Sequence, residues 1–360
     1  MTAKQLRVVM MGTGQFAVPI FAAVLGEFRD QLVGLVTQPL RSGGQRRSST
    51  RLAGHPLATL AAEYGVPVIQ PESINTPQAC AVLEQWQPDL FVVAAYGQIL
   101  SPQVLAIPRL GAVNVHASLL PRYRGAAPVA HAILQGDSHT GVTLIRMTPQ
   151  LDAGDILAQQ VEPIRPDDTA GSLEARLAEL GAQLTVALLR RLMAGEMPQA
   201  IPQDPAQATR APKLRKQSGL IDWGQSPQYL ERFVRAMQPW PTAFTFLHQP
   251  GRAPLRLIVT RLVPGPVLTT TAELPPAGTI YRASQIAGSD TPLAVCTGTP
   301  QLALIEELQP AGKRRMTAAE FVRGHPLGVH DRLGPENLDS PPVAPASSSA
   351  VASSSEPSTI

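Results

Sequence analysis

Cysteine is nearly absent: the 360 residues carry two, Cys80 and Cys296, with no CxxC pair. A disulfide scaffold and a structural zinc site are therefore excluded as the basis of the fold. There is also no apolar run near the roughly 18 residues that a membrane span needs. The apolar stretch Val8-Val9-Met10-Met11 near the start is too short for a signal peptide. These absences point to a cytoplasmic protein with no membrane association. The chain exceeds one ordinary domain, so two of unequal size are expected. Hydrophobic residues at 44% and a mean hydropathy near zero fit a globular protein with a sizeable core.

Acidic residues are missing from particular places. None lies between Asp30 and Glu63, where Arg41, Arg46, Arg47 and Arg51 stand. None lies between Asp204 and Asp222, where Arg210, Lys213, Arg215 and Lys216 stand, and a third basic group is Lys313-Arg314-Arg315. From residue 334 to the end the pattern reverses, with Glu336, Asp339 and Glu356 and no Lys or Arg. The net charge of +3 thus becomes +6, from 30 basic and 24 acidic residues, once that segment is set aside. Three acid-free basic segments suggest a polyanionic partner, most plausibly nucleic acid; singly, each reads equally well as a solvated loop.

The first half alternates strand and helix signals. Strands are predicted at residues 6–11, 31–37, 67–70, 89–95 and 110–115, with helical patterns at 14–25, 56–64, 79–87 and 126–135. This spacing implies an α/β fold with a doubly wound, mostly parallel sheet. Residues 205–226 read as a linker. A helix at 227–237 follows, then short strands at 243–247, 255–262, 278–281, 293–297 and 301–308, which suggest a small β-barrel or sandwich. Pro and Ser dominate from residue 334, and such a segment buries too little apolar surface to offset its ordering entropy. The expected organisation is a catalytic domain over 1–204, a linker over 205–226, a barrel over 227–333 and a disordered tail over 334–360.

Gly12-Thr13-Gly14-Gln15-Phe16-Ala17 matches the G-x-G-x-x-A dinucleotide fingerprint. The acid that would hold a ribose is missing, since the second strand ends in Val36-Thr37-Gln38-Pro39. Arg41 could face a 2′-phosphate instead, but small residues are equally needed just to turn a strand tightly into a helix. The densest polar cluster is Asn114-Val115-His116-Ala117-Ser118-Leu119-Leu120-Pro121-Arg122-Tyr123-Arg124-Gly125. Asn114 and His116 are two apart at the end of a strand, so both side chains face one side of the sheet. The carboxyl end of such a strand is where open α/β sheets bind ligands. A histidine beside an amide donor is a workable acid/base with a polarising partner. A carboxylate is still needed, and Leu151-Asp152-Ala153-Gly154-Asp155 offers two that spacing does not separate.

Asn114, His116 and Asp152 resemble the Asn/His/Asp triad of formyltransferases that use 10-formyltetrahydrofolate. Residues 118–128 and 151–155 resemble that family's folate-side motifs. Residues 211–216, Ile221-Asp222-Trp223, Pro239-Trp240-Pro241 and residues 308–313 resemble the C-terminal signatures of the branch that formylates methionyl initiator tRNA. The resemblance runs from about residue 6 to residue 323. It implies 10-formyltetrahydrofolate as co-substrate with no metal, folate contacts along Ser118, Leu119, Leu120 and Pro121, and methionyl initiator tRNA as partner. An OB-like β-barrel that holds the tRNA, and a monomer, are implied in the same way. For the tRNA it points to Arg41, Arg46, Arg47, Lys213, Arg215 and Lys216. Two departures stand out. Gly14 replaces the family's usual proline, and Leu40 and Gln45 replace an aspartate and an arginine of the basic loop, with Arg46 and Arg47 as neighbouring substitutes. Members that formylate glycinamide ribonucleotide, or hydrolyse the folate, share the triad but not the C-terminal signatures. A non-catalytic tRNA-binding module would leave the triad idle.

Overall fold

A computed structural model describes residues 6–39, 56–268, 274–281, 293–328 and 330–338. The loop holding Arg41, Arg46 and Arg47, and residues 339–360 of the expected tail, lie outside the described residues.

The first half contains β1 (Val8–Gly12), α1 (Ala17–Phe28), β2 (Leu32–Val36), α2 (Pro56–Glu63), β3 (Val68–Ile69), α3 (Pro77–Gln85), β4 (Leu90–Ala94), α4 (Pro102–Leu105) and β5 (Ala112–His116). It continues with β6 (Arg124–Gly125), α5 (Pro128–Gln135), β7 (His139–Arg146), β8 (Ile156–Pro163) and α6 (Ala170–Met193). The sheet order is β3-β2-β1-β4-β5-β7-β8. β1 pairs in parallel with β2 and β4, and β4 with β5; β7 and β8 are antiparallel additions beyond β5.

Every residue of β1 and β4 is buried, as expected for parallel strands covered on both faces. The alternation of a strand then divides two cores. Val8, Met10, Leu90 and Val92 face one that includes α1 and α6, while Val9, Met11, Phe91 and Val93 face another under α3. The turn after β1 is closed by packing. A Cβ on Gly12 would stand 2.7 Å from the Ala94 carbonyl oxygen and 2.8 Å from the Ala17 Cβ. The Gly12–Ala17 motif therefore has a structural role as the tight turn into α1, and Thr13 Oγ1 donates to the Tyr96 carbonyl at 3.2 Å across the strand ends.

The second half contains β9 (Arg210–Ala211), α7 (Pro227–Ala236), β10 (Ala243–His248), β11 (Leu255–Val267), β12 (Ile280–Tyr281), β13 (Ala294–Val295), β14 (Gln301–Pro310), β15 (Met316–Thr317), α8 (Ala318–Gly324) and β16 (Arg332–Gly334). The antiparallel sheet runs β12-β13-β14-β11-β10-β16, with β15 on β14. A bridge between Thr279 and Arg332, and a bond from Leu333 N to Gly278 O at 2.8 Å, return β16 to the start of β12. That closes the sheet into a barrel. Helix α7 packs on β11 of its own half and reaches the first half, where Arg232 donates to the Leu134 carbonyl and Arg235 to the Asp168 carbonyl.

Two expected boundaries need correction. Residues 205–226 are not a free linker: β9 pairs in parallel with β6 of the first half, and Ile221 and Trp223 are buried in the core. Trp223 Nε1 donates to Thr245 Oγ1 at 3.1 Å. The tail does not start at residue 334 either, because Gly334 ends β16 and its carbonyl accepts from Thr245 Oγ1 at 3.1 Å. The Pro335 carbonyl also accepts, from His248 Nε2, at 2.8 Å. Among the described residues, no helix is long and apolar enough to cross a membrane.

Candidate active site

β5 lies between β4 and β7, so its carboxyl end opens where the sheet changes from parallel to antiparallel. Asn114 and His116 project from it as the two-residue spacing requires. His116 is 5% exposed, with its Nε2 3.0 Å from the Tyr123 carbonyl. A carbonyl only accepts, so Nε2 carries a proton and Nδ1 is the ring nitrogen left facing Asp152. That Nδ1 stands 3.7 Å from Asp152 Oδ2, too long for a hydrogen bond, so the two groups face each other across a short gap.

Asp152 is held at both oxygens. Oδ2 accepts from Gly125 N at 2.8 Å, and Oδ1 from Asn114 Nδ2 at 3.3 Å. Its backbone takes a left-handed φ of 50°, a region a non-glycine residue enters only when its surroundings fix it. This twist turns the Asp152 side chain toward β5. Asp155 directs its carbonyl to Arg146 N at the start of β8 instead. Asp152 is thus the acid whose carboxylate meets Asn114 and faces His116. Gly125 has a φ of 124°, and a Cβ there would stand 2.6 Å from the Ala211 carbonyl. Glycine lets the chain pass β9 and still aim its N–H at the carboxylate.

Three side chains, two from β5 and one from the turn before β8, therefore converge as an amide donor, an imidazole and a carboxylate. Residues 5–189 match the Formyl transferase family, and residues 213–326 match the family described as Formyl transferase, C-terminal domain. A methionyl-tRNA formyltransferase of Rhodopirellula baltica is 41% identical over 340 residues, covering 92% of this chain and 97% of that protein. The chain belongs to the methionyl-tRNA formyltransferase family. A second member, from Roseiflexus sp., is 44% identical over 330 residues, covering 91% of this chain and 95% of the other. Among solved structures, a sugar 3N-formyl transferase shares the fold, with a TM-score of 0.58 at 14% identity over 86% of this chain and 100% of that one. An N-formyltransferase from Helicobacter canadensis aligns with a TM-score of 0.56 at 15% identity, covering 83% and 98%.

The formyltransferase motif after β5 supports the site from below. Tyr123, at a φ of 63°, is fixed by its hydroxyl, which donates to Asp137 Oδ2 at 2.6 Å, and by Arg122, whose guanidinium lies 4.9 Å from the ring centre. Burial and the Asp137 carboxylate hold the Tyr123 phenol above its usual range, so it acts as a neutral donor. Ser118 is fully buried, and its hydroxyl donates to the Arg122 carbonyl at 2.7 Å. Thr143 Oγ1 takes the Leu120 N–H at 3.1 Å and donates to the Ser118 carbonyl at 2.6 Å. The Leu120 carbonyl accepts from Gln159 Nε2 at 3.0 Å, and the Leu119 carbonyl from Arg122 N at 3.1 Å. Along the stretch expected to contact folate, Ser118 to Pro121, the carbonyls of Ser118, Leu119 and Leu120 and the Leu120 N–H are thus hydrogen-bonded within the protein.

Lys213, Arg215 and Lys216 are exposed on the segment between the two sheets. The third basic group differs: Arg314 pairs with Glu320 at 2.8 Å and Arg315 pairs with Glu307, which neutralises most of it. Sequence reasoning missed the groups that hold the triad, namely the Tyr123 carbonyl, the Gly125 N–H, Arg124 and Gln203. The glycine within Arg124-Gly125-Ala126-Ala127 was the one available signal. Gln203 carries none, because its partners Asp152 and Gly154 are 51 and 49 positions away. Among the described residues, no group of three or more His, Cys, Asp or Glu is placed to hold a metal ion.

Proposed function

We propose that the protein transfers the formyl group of 10-formyltetrahydrofolate to the α-amine of methionyl initiator tRNA, with Asn114, His116 and Asp152 as the catalytic groups. Full-length likeness to relatives named for this activity supports the transfer. The observation that carries the site is Asp152, whose carboxylate touches Asn114 and Gly125 and faces the imidazole of His116.

The donor set fits a formyl carbonyl. Asn114 Nδ2 spends one hydrogen on a long 3.3 Å bond to Asp152, and its second is free for an oxyanion. Folate supplies a formyl group activated on its nitrogen. As the amine nitrogen bonds to the formyl carbon, charge moves onto the formyl oxygen, where Asn114 donates. Because Nε2 of His116 is committed to Tyr123, the ring assists through a proton on Nδ1, and Asp152 stabilises that proton. The amine must lose a proton and the departing nitrogen must gain one; His116 and Asp152 stand where that proton is received and returned. Arg41, Arg46, Arg47, Lys213, Arg215 and Lys216, together with the barrel, engage the tRNA backbone as phosphate contacts.

The test offers the enzyme, with 10-formyltetrahydrofolate, three acceptors in parallel: charged initiator tRNA, glycinamide ribonucleotide and water. Formylation of the tRNA alone is expected. Transfer to the ribonucleotide, or hydrolysis at a comparable rate, would replace this reading.

A further inference from the structure

Gln203 lies on the segment that joins the two sheets, between the bridge of Ile201 to Ile156 and strand β9. Its side-chain nitrogen donates to the carbonyls of both Asp152, at 2.9 Å, and Gly154, at 2.7 Å. Its side-chain oxygen accepts from Arg124 Nε at 3.1 Å and Nη2 at 2.7 Å. The amide has only one sensible orientation, since carbonyls cannot donate and a guanidinium cannot accept. One amide thereby clamps the turn that carries Asp152 and locks it to the residue before Gly125, whose N–H binds the same carboxylate.

We infer that Gln203 is a positioning residue for Asp152, setting the reach of its carboxylate toward His116 and Asn114. The inference rests on the catalytic reading of Asp152 given above. The turn needs such a clamp. Asp152 is in a left-handed conformation, which costs energy unless neighbours over-determine it. Gly154 is pressed so closely on β7 that a Cβ would stand 1.8 Å from the Arg146 carbonyl. With Gln203 removed, two turn carbonyls lose their donor and the Arg124 guanidinium its side-chain acceptor, so the carboxylate's own bonds from Gly125 and Asn114 are left to hold the turn. The same joining segment also fixes the histidine side. Thr209 Oγ1 accepts from Tyr123 N at 2.9 Å, and the Thr209 carbonyl accepts from Arg124 N at 2.8 Å. The Tyr123 carbonyl in turn receives the His116 proton. Residues 201–211 therefore hold both halves of the imidazole–carboxylate pair without touching either reacting group.

Displacing a catalytic group by about 1 Å costs on the order of 10²-fold in rate. In the full-length enzyme, Gln203→Ala should lower kcat for formylation of charged initiator tRNA by about 10- to 100-fold. KM for the folate and for the tRNA should stay essentially unchanged, because no substrate contact is lost. Gln203→Glu keeps the length and the Arg124 contact but cannot donate to the two carbonyls, so it should be at least as impaired as Gln203→Ala. Arg124→Met frees the amide from its other side and should lower kcat by a smaller factor; it decides the matter if Gln203→Ala does not fold. Asp152→Asn, measured beside them, separates the two levels of the argument. If Asp152→Asn is crippled while Gln203→Ala or Gln203→Glu keeps its kcat, the positioning role is overturned. A rise in KM at constant kcat overturns it as well. If Asp152→Asn itself is nearly normal, the catalytic reading fails instead.

Discussion

Replacing Asp152 with asparagine changes no volume and one charge, and the geometry shows how much follows. The wild-type carboxylate accepts twice, from Gly125 N at 2.8 Å and from Asn114 Nδ2 at 3.3 Å. The new amide has one oxygen and one NH2 group. If its oxygen stays on the shorter bond to Gly125, its NH2 meets the NH2 of Asn114, two donors face to face. Asn114 relieves this by rotating its amide, which puts a carbonyl oxygen where the oxyanion donor stood. Loss of one such donor costs about 2.7–4 kcal/mol, or 10²- to 10³-fold in kcat. The imidazolium also loses its counter-charge. At 3.7 Å and an effective dielectric near 20, that attraction is about 4 kcal/mol, of which only the part arising in the transition state affects the rate. A fall of about 10³-fold in the single-turnover rate is expected. Because the Gly125 bond survives, the thermal midpoint should move little. Asp155→Asn is the control and should be far milder. A rate for Asp152→Asn within a few-fold of wild type would show that the carboxylate is not needed in the transition state, and an equally damaging Asp155→Asn would show that the turn had collapsed.

Asp168, 3% exposed, supplies a pH test of the first half. Burial pushes its carboxyl up, but Arg176, at 2.6 Å and 2.7 Å, together with Arg165 N and Ser172, overrides this and holds it at about 2 against an ordinary 3.8. A depressed carboxylate contributes stability that is complete above pH 3.8 and is lost as pH falls through about 2. Asp168→Asn should therefore cost about 2 kcal/mol at pH 7 and flatten the acid unfolding curve over that window, as checked by denaturant melts from pH 7 to pH 2. For the tRNA, Arg46→Ala with Arg47→Ala should raise KM for the charged tRNA, flatten its salt dependence and leave KM for folate alone. Arg314→Ala, which removes a residue already paired with Glu320, should do little to either.

Legibility in the sequence varied with how local each feature is. Asn114 and His116 were visible because a strand's two-residue period places both on one face, and β5 does so. The core strands were visible as apolar runs, which β1 and β4 are. Strand β8 was not, since Gln159, Gln160 and Val161 are exposed at the sheet edge, so no buried run marks it. Helix α6 had a readable signal that the expected elements omit: Leu173, Leu177, Leu180 and Leu188 recur on one face behind the Thr169–Ser172 capping box. The end of β11 was hidden by Pro264 and Pro266, which the strand accommodates through register shifts against β14. Asp152 could not be separated from Asp155 because a left-handed φ leaves no trace in spacing. Gln203 was invisible for the same kind of reason, as its role exists only when segments about 50 positions apart meet.

Asn114, His116 and Asp152 are proposed to act on the reacting formyl group and not merely to bind substrate. The most direct measurement is the single-turnover formylation rate of His116→Ala, taken with its Kd for charged initiator tRNA. A loss of about 10²-fold or more in the rate, with the Kd unchanged, is the expected result. A rate close to wild type, or a rate that falls only in step with a weakened Kd, would rule out this role for His116.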